Sequence, residues 1–196
     1  MTLQNKDFTL KENKTVFDNG FLKIQNKVVS APYLKEDLQR SIVQKKNAVS
    51  IAYIKKGDDD SVQILISDEY RGGLDKVDFA LPAGHIEFGD PDIRAAAIRE
   101  LTEETGYETN YENAEQILEI ASSPGFTTEK VYVVLIKESD SDFNNGKFDF
   151  DHDEYVEHLW VTLKTAYEYV INGKITSAPS VAAILDLVIK EKDGKL

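Results

Sequence analysis

The sequence predicts an α+β fold: a mixed-sheet sandwich with a small antiparallel β unit at its N-terminus. Three observations predict it. Strand-like and helix-like segments follow one another without a regular βαβ repeat, which argues against a doubly wound parallel sheet. Alternating apolar residues flank Asp18-Asn19-Gly20 in TVFDNGFLKIQNKVV (15–29), the pattern of a β-hairpin around residues that tolerate positive φ. A single stretch with helical start and stop signals, 91–105, lies mid-chain between strand-like segments.

The elements follow in order. The hairpin is joined by a third strand, LQRSIVQ (38–44). AVSIAYI (48–54) and VQILISDEY (62–70) read as strands linked by the polar turn KKGDDDS. DFALP (78–82) is a short strand stopped by its proline, and the helix 91–105 follows. QILEIAS (116–122), KVYVVLIKE (130–138) and EHLWVTL (157–163) are strands, with a polar loop from Ser139 to Asp153 before the last. TAYEYVI (165–171) and SVAAILDLVIKEK (180–192) read as helices. A boundary near residues 45–47 separates an N-terminal β unit, 1–45, from a main domain, 46–196.

Composition narrows the function. A net charge of -12 makes a long nucleic acid a poor partner. A small anionic ligand needs cations and local basic groups against that field, so each of only four arginines (Arg40, Arg71, Arg94, Arg99) is a candidate anion contact. The chain has no cysteine, which excludes disulfides, thiolate metal sites and a cysteine nucleophile, and suits a reducing, cytoplasmic compartment. The N-terminal segment lacks an apolar core of signal-peptide type, and no run of about 18 apolar residues is present to span a bilayer, so a membrane is not an expected partner.

The helix 91–105 carries the chemistry. Asp90 is placed to cap it, Pro91 suits its first position, and Gly106 suits its end. At about 100° per residue, Glu100 and Glu104 lie about 40° apart with Glu103 about 60° to the other side, so the three carboxylates share one face. Ala97, Ile98 and Leu101 form a separate apolar arc. A solvated acidic face is one explanation, because a like-charge i,i+4 pair costs only about 0.2–0.5 kcal/mol. A metal site is the other. LPAG (81–84) puts a strand end and a glycine turn just ahead, where backbone carbonyls can join the carboxylates around a hard cation such as Mg²⁺.

RELTEETGY (99–107) resembles the core of the Nudix hydrolase box, Arg-Glu-bulky-x-Glu-Glu-x-Gly-bulky, at seven ordered positions, with Gly84 as the upstream glycine. Two departures stand out. The box's first glutamate is Asp90 here, and the spacer of seven residues before the arginine is eight, Pro91 to Ile98. Three further segments are similar to the ADP-ribose pyrophosphatase branch: SSPGFTTEKVYVVL (122–135), NGKITSAPSVAAILDL (172–187) and LISDEYRGG (65–73).

The resemblance implies a Nudix-type α/β/α sandwich with mixed sheet, and an N-terminal β unit that builds a homodimer. It implies Mg²⁺, or Mn²⁺, on Glu100, Glu104 and the Ala83 carbonyl, with Glu103 as ligand or support. Arg99 is expected to pair with Asp90 and orient the helix, the extra residue compensating for the shorter acid. Arg71 is expected on the diphosphate, Lys45 or Lys46 as a second phosphate contact, and Glu129 near the terminal ribose. Glu154, with Asp153 in reserve, matches the catalytic acid of the branch's loop. Phe17, Phe21, Tyr33 and Tyr70 are candidates to stack on a base, and none of His85, His152 and His158 is assigned a role. The implied reaction is Mg²⁺-dependent cleavage of ADP-ribose to AMP and ribose 5-phosphate. The alternatives are another nucleoside diphosphate sugar such as GDP-mannose, a dinucleotide polyphosphate, or a non-catalytic Nudix-fold sensor.

Overall fold

The computed structural model describes residues 7–139, 142–144 and 156–196. The chain forms two compact units. One holds residues up to Asn47 together with Ala121–Lys130; the other holds Ala48–Ile120 and Val131–Leu196.

The first unit is an antiparallel sheet of β1 (Thr9–Asp18), β2 (Lys23–Ser30) and β3 (Leu38–Gln44). The hairpin turn forms as its residues dictate: Gly20 takes φ 85°, its N–H donates to Asp18 Oδ1 at 3.0 Å, and Asn19 Oδ1 accepts from Phe21 and Leu22. β1 starts at Thr9, six residues before the alternating pattern suggests. Register shifts between Leu10 and Glu12 and between Thr15 and Phe17 break the period-two signal there. Every residue of β1 is exposed.

The second unit is a layered sandwich. Its central strands are β4 (Ala48–Lys56), β5 (Val62–Arg71), β6 (Lys76–Ala80), β7 (Ala83–His85), β9 (Ala114–Ala121), β10 (Lys130–Lys137) and β12 (Val156–Thr162). They run in the order β12-β5-β4-β10-β9, with β6 on β5 and β7 on β4. β10 lies parallel to β4, whereas β4–β5 and β5–β12 are antiparallel, so the sheet is mixed. β8 (Tyr107–Glu108) and β11 (Phe143–Asn144) form a separate two-stranded pair.

Both faces of this sheet are covered. Val49, Ile51, Tyr53, Leu65, Val134 and Ile136 pack with Ala96, Ala97 and Leu101 of α1 (Ile93–Thr105). Their alternate neighbours Ala52, Ile54, Ile64, Ile66, Val133 and Leu135 pack with α2 (Leu163–Ile171) and α3 (Ala178–Lys192) through Leu163, Ala166, Ala183, Ile184 and Leu187. The near-continuous apolar runs of β4, β5 and β10 are what a strand buried on both faces requires. Fully burying each Leu, Ile or Val contributes roughly 1.5–3 kcal/mol. Thr162 caps α2, accepting from the Thr165 N–H, and Pro179 stands in the first turn of α3. Among the described residues, no helix is long and apolar enough to cross a membrane.

One helix boundary corrects the sequence expectation. The N-cap of α1 is Asp92, whose Oδ1 accepts from the Arg94 and Ala95 N–H groups at 3.0 Å, and not Asp90. Pro91 consequently precedes the helix. Asp90 is drawn elsewhere, into the ion pair described below. At the other end Gly106 adopts φ 71° and donates to the Thr102 carbonyl, as its position predicts.

Candidate active site

The site lies where β5, β7 and α1 meet within the second unit. A cavity of 330 Å³ there is lined by Glu69, Arg71, Ala83, Gly84, His85, Glu87, Arg99, Glu100, Glu103, Glu104 and Val156. Sequence-predicted residues Arg71, Ala83, Arg99, Glu100, Glu103 and Glu104 thus come together. Arg71 arrives because β5 alternates: Leu65 sits in the core beneath α1, so Ser67, Glu69 and Arg71 share its face.

Gly84 has a specific reason to be glycine. A Cβ built on it would overlap the Glu100 carboxylate. β7 pairs Gly84 with Val49 and so fixes this backbone in the sheet. Glu100 is therefore held against main chain with a side chain only 13% exposed. That burial pushes its carboxyl above the usual range, against the opposing pull of Arg99.

Arg99 organises the rest. Its Nε and Nη2 donate to the two Asp90 oxygens at 3.0 Å each, and Nη2 also donates to the His85 carbonyl at 2.9 Å. Nη1 donates to Glu100 Oε1 at 2.9 Å and to Glu103 Oε2 at 2.7 Å. All five guanidinium hydrogens have acceptors in this arrangement. The pairing holds the Asp90 carboxyl below the ordinary aspartate value and the Arg99 guanidinium above its own. Asp90 Oδ2 additionally accepts from the Glu87 N–H at 2.8 Å, which closes the loop onto itself.

On the opposite wall, Arg71 Nη2 pairs with Glu69 Oε2 at 2.8 Å. Burial raises the Glu69 carboxyl, opposed by Arg71. No sequence motif marks Glu69, although its place two residues before Arg71 puts both on one face. No sequence motif marks His158 either. Its Nε2 lies 3.0 Å from the Glu104 carbonyl and its Nδ1 2.8 Å from Ser67 Oγ, and burial lowers its pKa.

The donors fit a hard divalent cation. They are oxygens only, Glu100 is desolvated, and Gly84 leaves room for its carboxylate where any side chain would not. Among the described residues, no three carboxylate or imidazole groups already converge at ligand spacing. Arg99 meanwhile occupies oxygens of Glu100 and Glu103.

The remaining expected residues lie elsewhere. Glu129 belongs to the first unit, where its Oε1 takes Lys45 Nζ at 2.9 Å. Lys46 lines a 310 Å³ cavity of the same unit with Phe21, Lys23 and Lys45. Of the other aromatics, Tyr33 packs edge-on against Phe8, and Tyr70 donates to Asp75 Oδ1. Glu154, Asp153 and His152 fall outside the described residues.

An acidic helix, clamped to a glycine strand and faced by an arginine, thus lines the cavity. Comparison with known proteins gives the family. The NUDIX domain model matches residues 45–182. The chain is 33% identical to an ADP-ribose pyrophosphatase of Bacillus subtilis, over 78% of each chain. It is 32% identical to a methanol dehydrogenase activator of Bacillus methanolicus, over 95% of this chain and 96% of that one. A crystal structure of an ADP compounds hydrolase superposes with a TM-score of 0.79 over the full length of both chains at 17% identity, a likeness of fold. The chain belongs to the Nudix family. It is a Nudix pyrophosphatase of the ADP-ribose pyrophosphatase branch, a family that uses divalent metal ions.

Proposed function

We propose that this protein hydrolyses ADP-ribose to AMP and ribose 5-phosphate in the cytoplasm, with Mg²⁺ as cofactor and as a homodimer. The observation that carries the reading is the largely buried Glu100 carboxylate seated on Gly84 in a cavity that also holds Arg71. Glu100, Glu104 and the Ala83 carbonyl would hold the cation, with Glu103 beside them. When bound there, a divalent cation offsets diphosphate charge and acidifies a water molecule.

The chain's own residues do the rest. Arg71, steadied by Glu69, binds the diphosphate through planar, charge-assisted hydrogen bonds. Lys46 and Glu129 are further candidate substrate contacts. Arg99 keeps the acids in place. Glu154 takes a proton from the attacking water, a role that typically supplies a factor of about 10² to 10⁴. The water oxygen bonds to phosphorus as the bridging oxygen leaves, giving two monophosphates. The wholly exposed β1, with Leu10, Val16 and Phe17 bare, is the strand a second copy would cover.

A panel of ADP-ribose, GDP-mannose, other nucleoside diphosphate sugars and dinucleotide polyphosphates with Mg²⁺, read by phosphatase-sensitive product, tests the substrate. ADP-ribose is expected to turn over fastest. In the same assay Glu104→Gln should keep the fold and lose most turnover; near-parental rates would remove the metal site. Stabilisation by ADP-ribose without product would instead make the protein a sensor.

The relative that spans 95% of this chain, N-terminal unit included, favours a second reading, in which the hydrolase activates a partner dehydrogenase. Adding the protein to purified methanol dehydrogenase and following its rate distinguishes the two.

A further inference from the structure

We propose that His158 is a positioning residue that sets the last turn of α1, and with it Glu103 and Glu104, by capping the Glu104 carbonyl from the sheet. This rests on the metal-site reading above.

A helix leaves its last four carbonyls without intrahelical partners. In α1 the Thr102 carbonyl is taken by the Gly106 N–H. The Thr105 carbonyl accepts from Asn144 Nδ2 at 3.2 Å, and the Glu104 carbonyl lies 3.0 Å from His158 Nε2. A carbonyl can only accept, so Nε2 carries the hydrogen. Nδ1 of the neutral ring then accepts from Ser67 Oγ at 2.8 Å. The result is a strut in which Ser67 donates to His158 and His158 donates to Glu104.

Its base is rigid. Ser67 and His158 stand directly opposite one another in the β5–β12 ladder, and Ser67 is buried. Their same-face neighbours Leu65 and Trp160, also opposite, pack in the core beneath α1. The strut therefore ties the backbone of Glu104 to the strand that carries Glu69 and Arg71. Outer partners of metal-binding residues typically control affinity by about 10- to 100-fold.

The test uses the full chain and Mn²⁺ binding without substrate, read from the electron paramagnetic resonance of free Mn²⁺, beside kcat and KM for ADP-ribose. His158→Phe keeps a ring and removes the donor. It should weaken Mn²⁺ binding and lower kcat by about tenfold each, with KM within about twofold. Ser67→Ala, a milder change, should move both in the same direction by about threefold. Mn²⁺ affinity and kcat within twofold of the parent in His158→Phe overturn the proposal; if that variant fails to fold, the same result in Ser67→Ala does so. A parent chain that binds Mn²⁺ no better than Glu104→Gln would remove the metal-site reading itself, an outcome distinct from a parent matched only by His158→Phe.

Discussion

Arg99 grips Asp90 with two arms, Nε to Oδ1 and Nη2 to Oδ2, both at 3.0 Å. This pair brackets the stretch in which the box is one residue longer than the pattern it resembles. Helix α1 begins after Asp92 rather than after Asp90, so the extra residue is spent in the loop and not in the helix. Asp90, freed from capping, turns toward Arg99, and the carboxylates that follow keep their places on α1.

Replacing Asp90 by Asn should therefore destabilise the protein by about 1.5–3 kcal/mol, the worth of charge-assisted hydrogen bonds. The sign of its pH dependence follows from the lowered Asp90 carboxyl. A depressed folded value means stability that is full above the unfolded aspartate value of about 3.9 and is lost as pH falls through the folded one. The gap in denaturant midpoint between parent and Asp90→Asn should be widest near neutrality and close in acid. A gap that widened toward low pH would contradict the pairing.

Gly84→Ala tests the cradle. The added methyl meets the Glu100 carboxylate, which must swing off the β7 backbone. Turnover should fall by about 10²-fold, the cost of an ångström-scale misplacement in an active site. Circular dichroism should be unchanged, because β7 is a three-residue strand and its conformation suits alanine. An alanine variant at parental kcat would show that Glu100 does not act from this position.

Arg71→Lys separates shape from charge. Lysine keeps the charge and loses the planar fork. We expect kcat/KM for ADP-ribose to drop by about 10- to 100-fold, corresponding to one charge-assisted hydrogen bond of about 1.5–3 kcal/mol. The melting temperature should barely move, since the partly exposed Glu69 pair contributes about 0–1 kcal/mol. Loss of stability with full activity would reverse the assignment.

What the sequence revealed and what it hid follow the range of the interactions. The apolar runs of β4, β5 and β10, and the Gly106 stop, are local signals, and the layered sandwich agrees with them. The capping pattern alone misassigns Asp90, whereas the box resemblance pairs it with Arg99, nine residues on, as the structure does. His158 gave no signal at all: Ser67 is 91 residues away in sequence and Glu104 is 54, and only the β5–β12 ladder makes them neighbours. Glu69 was legible in principle, because period two links it to Arg71. β7 was hidden by its three-residue length.

Glu100 is where function and stability should part. Its carboxyl is raised because burial disfavours the charge more than Arg99 restores it. For an acid with a raised folded value, stability is greatest at low pH and declines once pH passes the unfolded value of about 4.3. Glutamine in that place removes the desolvation cost and keeps the shape. The metal-free Glu100→Gln variant should thus melt at or above the parent near pH 7.5, with the advantage vanishing below about pH 4. Adding Mg²⁺ should raise the melting temperature of the parent and leave the variant unmoved, because a ligand stabilises only the form that binds it. The variant should also turn over ADP-ribose at least about 10²-fold more slowly than the parent, because it loses a carboxylate that would hold the charge-offsetting cation. A metal-free variant that melts well below the parent at neutral pH would mean that the Arg99 pair outweighs burial. Parent and variant responding equally to Mg²⁺ would place the cation away from Glu100.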